Sequence, residues 1–132
     1  MVEAFLQRAG ILLVSLFVLA LPAAVVAQFE AKVGDSLNIQ INRADNQLVI
    51  AFNGQEVYNK TTENDPELND NVDLTGRFRQ GINMLEMAGI NTGHGAHFKV
   101  RVLHNGLDVQ QFDVRPPGNG VVWKTRLDFT VP

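Results

Sequence analysis

The stretch NVDLTGRFRQGINMLEM at residues 71–87, read together with AFNGQEVY at 51–58, decides the fold class. The upstream run ends in Asn53-Gly54, two residues that tolerate positive φ and so favour a two-residue hairpin turn. The return strand is expected over 55–61. An acidic segment follows, then the step Val72-Asp73-Leu74-Thr75, a basic-polar bridge, and Gly81-x-Asn83-x-Leu85 entering another apolar run. Gly81 stands where a turn into a strand calls for positive φ. Asn83 is in phase with Leu85 and Met87, so its amide should point inward, where loop backbone must satisfy it. Asp73 and Thr75 suit side-chain-to-backbone bonds that hold an irregular bend.

Alternation with period two continues outward from this stretch. Phe29, Ala31 and Val33 alternate with polar residues, as do Leu37, Ile39 and Ile41, and then Leu48, Ile50 and Phe52. Phe98, Val100 and Val102 lead into a second hairpin signal, Asn105-Gly106, with a return strand over 107–114. Val121, Trp123, Thr125, Leu127, Phe129 and Val131 share one face of a last strand, which places Trp123 on the core side. No window after residue 28 has a 3.6-residue period. The pattern predicts an all-β domain, a single antiparallel β-sandwich of the jelly-roll type.

Residues 10–27, GILLVSLFVLALPAAVVA, are uncharged, follow Arg8 and end in Pro22 and Val25-Val26-Ala27. This pattern predicts an N-terminal signal helix over 1–27, cut before Gln28, and a β-sandwich domain over 28–132, secreted or periplasmic. The competing reading is an uncleaved anchor, because the run approaches the ~20 residues that span a bilayer. The net charge is −3 and there is no cysteine. Such a surface does not attract nucleic acid. Disulfides and thiolate metal sites are excluded, so packing alone must hold the domain.

The series Phe52-Asn53-Gly54-x-x-Val57, Val72-Asp73-Leu74-Thr75, Gly81-x-Asn83-x-Leu85 and Trp123-x-x-x-Leu127-x-Phe129 resembles the galactose-binding-domain-like jelly rolls, which accompany many glycoside hydrolases. It spans roughly residues 46–131. The resemblance implies a non-catalytic, carbohydrate-binding module whose ligand loops gather at one end, sometimes with a structural calcium.

Three loops are polar and rich in glycine or Asx: 62–73, 91–97 and 115–120. The candidate ligand contacts are Asp70, Asn91, His94, His97 and, more weakly, Arg115. Asp65, Glu67, Asp70 and Asp73 supply candidate calcium oxygens, without the spacing of a defined calcium loop. A transition-metal reading of His94 and His97 lacks an acidic partner nearby in sequence. The bland reading of all three loops is solvated linkers. Catalysis has little support: there is no G-x-S-x-G and no H-E-x-x-H, and Ser36 is the sole serine after the signal. Asn59-Lys60-Thr61 is a glycosylation sequon that matters only in a eukaryotic secretory route. The leading expectation is an exported non-enzymatic module that binds carbohydrate or another cell-envelope polymer. The alternative is an assembly protein that binds a partner by strand addition at a sheet edge. A small hydrolase or enzyme inhibitor is the third reading.

Overall fold

Strand β2, Leu37–Phe52, organises the chain by pairing with four other strands along its length. The computed structural model describes residues 23–132 and shows eight strands and no helix among them. The other strands are β1 (Val25–Glu30), β3 (Gln55–Thr62), β4 (Asp70–Asp73), β5 (Gly81–Asn91), β6 (His97–His104), β7 (Leu107–Val114) and β8 (Gly120–Val131). They form one sheet in the order β1-β8-β5-β2-β6-β7, with β3 and β4 paired to β2 off this path. The first half of β2 pairs with β6 and β4, the second half with β5 and β3. The sheet therefore turns a corner within β2 and has two leaves.

The apolar phase of β2 explains the corner. Leu37, Ile39 and Ile41 occupy odd positions, whereas Ala44, Leu48, Ile50 and Phe52 occupy even ones, yet all are buried in one core. A one-residue phase change would turn half of an unbroken strand inside out. Register shifts at Ile41/Arg43 against β6 and at Asp45/Asn46 against β3 absorb it. Sequence alternation suggested two strands separated by the polar run Asn42–Gln47. The structure joins them, and Asp45, Asn46 and Gln47 are buried.

The curl of the sheet brings β6 and β7 against β8. Phe98 on β6 stacks on Trp123 of β8 with centroids 5.7 Å apart, and Phe112 of β7 meets the same indole edge-on at 5.1 Å. Trp123 is half-buried against the core. Gly89 on β5 lies directly beneath Phe98: an added Cβ would fall within 2.8 Å of three of its ring atoms. Phe98 has no exposed surface and Trp123 against its face, so the ring has little room to retreat. Gly89→Ala is expected to destabilise the protein by ~1–3 kcal/mol through overpacking, measured by urea unfolding. Unchanged stability would show that the leaves can separate at this level.

Both predicted hairpins form, with φ of +50° and +80° at Asn53-Gly54 and +51° and +76° at Asn105-Gly106. Gly81 adopts φ +95°. Thr75 N–H donates to Asp73 Oδ1 at 2.9 Å. Two expectations need correction. The sheet is not wholly antiparallel, since β1 runs parallel to β8. Residues 70–73 are not loop but strand β4, paired with Asn38–Ile41. Residues 1–22 of the signal helix expected over 1–27 lie outside the described residues. Val25–Ala27, its expected cleavage context, form the first half of β1, in register with Arg126 and Leu127.

Candidate functional site

The corner of β2 also builds a site. Three connections meet beside it: 63–69 after β3, 92–96 after β5, and 115–119 after β7. They enclose a cleft of about 530 Å³. Glu63, Asn64 and Asp65 form one wall, Thr92–Ala96 the other, and Arg115 closes a third side; Asp45, Asn46 and His97 also line it. Asn64 and Asp65 have φ of +66° and +48°, a region that Asn and Asp tolerate better than most residues.

The β2 corner holds both walls by its side chains. Asp45 Oδ2 accepts the Asp65 N–H at 2.7 Å, and Asn46 Oδ1 accepts the Thr92 N–H at 2.8 Å. Arg43 donates to the Asp65 carbonyl at 2.6 Å, and the Thr62 hydroxyl to the Ala44 carbonyl at 2.9 Å. Short polar side chains that bond nearby backbone can shape loops in this way.

His97, the first residue of β6, lies between two carboxylates. Its Nδ1 is 2.8 Å from Asp65 Oδ2, and its Nε2 is 2.8 Å from Asp113 Oδ1 on β7. An ionised carboxylate only accepts, so bridging two of them takes an N–H on each ring nitrogen. The hydrogen bond from His97 is the main cause holding the Asp113 carboxyl below its ordinary range, with Lys99 and Arg115 adding positive charge nearby. Arg115 reaches within 3.8 Å of Asp65 Oδ2. Asp65 Oδ1 is buried and meets no donor of the protein.

Of the residues singled out from sequence, His94, His97 and Arg115 share this cleft. Asn91 stands behind one wall: its amide donates to the Gly118 carbonyl at 2.6 Å, tying the 92–96 and 115–119 connections together. It lines, with His94, a shallower depression of about 340 Å³. Asp70 is engaged elsewhere. It accepts from the Tyr58 hydroxyl at 2.6 Å and from Lys60 Nζ at 3.1 Å. The Tyr58 bond, more than Lys60, lowers the Asp70 carboxyl below its usual range, while burial and then Asp70 itself push the phenol upward.

The four candidate calcium carboxylates go to separate partners: Asp65 to His97, Asp70 to Tyr58, Asp73 to Thr75, and Glu67 toward Arg43 at 4.0 Å. Among the described residues, no three His, Cys, Asp or Glu side chains gather as metal ligands. Sequence reading passed over Asp45 and Asn46, and took Glu63 and Asn64 only as part of the 62–73 loop. The available signal was the polar run inside an apolar strand, which reads locally as a break.

The cleft brings Asp45, Glu63 and Asp65 together with His94, His97 and Arg115, so it offers both acceptors and donors. No aromatic ring lines it, and Ser36 lies elsewhere, its N–H bonded to Asn105. The arrangement suits hydrogen bonding to a neutral polar ligand. Against protein-family models, curated proteins and solved structures, the chain finds no match.

Proposed function

We propose that this chain is an exported, non-catalytic binding module, a two-layer sandwich of the galactose-binding-like jelly-roll kind, that recognises a hydroxyl-rich ligand in the cleft beside the β2 corner. The observation that carries this reading is the convergence of three connections, distant in sequence, on one polar cleft with mixed donors and acceptors. Ligand pockets gather a few placed polar groups in this way. A neutral polyol, such as a saccharide of a cell-envelope polymer, matches a cleft that offers both donors and acceptors. Recognition would run through hydrogen bonds instead of aromatic stacking. The facing of Phe98 and Trp123 across the leaves supports the two-layer description. Export rests on the apolar segment at 10–27. Removal of residues 1–27 would leave Gln28–Glu30 of β1 on β8, with Phe29 stacked on Phe129 at 5.0 Å.

A glycan array probed with the protein, with and without calcium, tests the reading. Binding to a hydroxyl-rich glycan is expected, weakened about tenfold or more by His94→Ala with Arg115→Ala, while thermal unfolding stays unchanged. An array without hits, or a double variant that binds as well as the parent, overturns it.

One observation favours strand addition as a second reading. β1 covers the outer edge of β8 only along Arg126–Thr130, and no described strand pairs with that edge along 120–125. Such an edge can accept a partner strand. Capture of an extended peptide, lost when a proline replaces Val122, would favour this alternative.

A further inference from the structure

The His97 bridge does more than shape the cleft. We propose that His97 is the pin of a pH-dependent clamp, which as an imidazolium fastens the 63–69 wall to β6 and β7 and loosens it on losing a proton. Regulation of ligand binding by this clamp rests on the reading given under Proposed function; the clamp itself rests on geometry.

Two features make the bridge proton-dependent. First, both ring nitrogens lie 2.8 Å from carboxylate oxygens, and the His97 side chain is only 8% exposed. A neutral imidazole has one N–H and one lone pair, so in this arrangement it must turn its lone pair toward one of the two anions.

Second, the surroundings depend on that one cation. Asp65 arrives from the wall, Asp113 from β7, and Asp45, in register with His97, from β2. Glu63 adds a fourth carboxylate in the cleft. The opposing cations are placed less directly. Arg115 is 69% exposed and 3.8 Å from Asp65. Arg43 donates to the Asp65 carbonyl, not to its carboxylate. Lys99 bears on Asp113, and His94 stands in the facing wall. With His97 neutral, whichever tautomer forms, one bridge is lost and the carboxylates repel without their central partner.

The wall has other ties that proton loss leaves in place: Leu68 N–H to the Asn42 carbonyl at 2.7 Å, and Arg43 to Asp65. The clamp therefore loosens the wall without unfolding the domain. At the acid end the sign is opposite. Asp113, held below the ordinary carboxylate value chiefly by His97, contributes above the unfolded Asp value and is lost as pH falls through its lowered one. The clamp thus needs His97 protonated and Asp113 ionised at the same time.

Amide exchange and ring-nitrogen NMR on the intact protein test this without any ligand. At pH 5.5, both His97 ring nitrogens should carry protons. The Asp65 amide, bonded to Asp45, is the local reporter. Corrected for intrinsic exchange rates, its exchange should quicken about tenfold between pH 5.5 and 8.5, the low end for loss of one charge-assisted bond. Amides of β5 and β8 should not follow. His97→Gln should exchange fast at both pH values. Asp113→Ala alters an exposed β7 position and frees neutral His97 to keep its Asp65 bond, so it should flatten the response even if His97→Gln folds poorly. A neutral His97 ring at pH 5.5 overturns the clamp. So does a pH-independent Asp65 amide in the parent, or a response that persists in Asp113→Ala. A glycan array without hits, beside an intact exchange response, would remove the ligand reading and leave the clamp standing.

Discussion

Phe129→Ala is expected to cost ~3–5 kcal/mol of stability, the usual range for emptying a fully buried phenylalanine site. Phe129 has no exposed surface and lies on β8, between β1 and β5. Its ring centroid is 5.0 Å from that of Phe29, 5.3 Å from Phe78 and 5.6 Å from the His104 imidazole. It therefore joins β1, the bridge before β5, and the far end of β6. Several of these neighbours are held in place: His104 bonds Asp35 at 2.8 Å, and Phe78 also packs edge-on against Phe52. The surroundings cannot collapse fully into the space, so a cavity penalty adds to the lost transfer energy. Small domains commonly have only 5–15 kcal/mol in total. The urea midpoint should fall by about 2 M. A midpoint within about 0.5 M of the parent would mean that this aromatic cluster contributes little.

Asn83→Leu is the second large effect, expected at about 3 kcal/mol or more although the two side chains have the same heavy-atom count and branching. Asn83 is completely buried. Its Oδ1 accepts from Arg79 N–H and Asn53 Nδ2, both at 3.0 Å. Its Nδ2 donates to the carbonyls of Arg79, Gly81 and Phe129 at 2.8, 3.2 and 3.2 Å. One amide thus fastens the 79–81 bridge, the Asn53-Gly54 hairpin and β8. Asn53 continues the link by accepting the Met84 N–H at 2.8 Å. Leucine would fill the space but leave several backbone groups without partners, each costing ~1–3 kcal/mol when buried. The melting temperature should drop by roughly 10 °C or more. A leucine variant that melts with the parent would show that water or rearranged backbone replaces these bonds easily.

These two sites differ in how far sequence reveals them. The inward phase of Asn83, the positive φ of Gly81 and both Asn-Gly turns were legible, because each depends on residues a few positions apart. The inward face of β8 was legible for the same reason: alternation assigns Leu127, Phe129 and Val131 to one side whatever lies opposite. The gathering of the polar loops could be anticipated only in outline. Sequence reading prefers Asp70 to Asp65 as a ligand contact, although both occupy one acidic segment. Pairing of β4 with β2 sends Asp70 to Tyr58 and Lys60, while the turn at Asn64-Asp65 sends Asp65 to His97.

By itself, the sequence determined that the chain after residue 28 is all-β, where its hairpins turn, and which face of most strands is apolar. Those properties follow from φ preferences and a two-residue period, both local. Tertiary structure alone decided that β2 is one strand shared by two leaves, that β1 lies parallel to β8, and that Asp65, His97 and Asp113 form one bridge. The bridge joins residues 16 and 32 positions apart. Local alternation can state which way a side chain points, but the partner it meets depends on which strands are neighbours, and that is settled by burying the whole apolar surface at once.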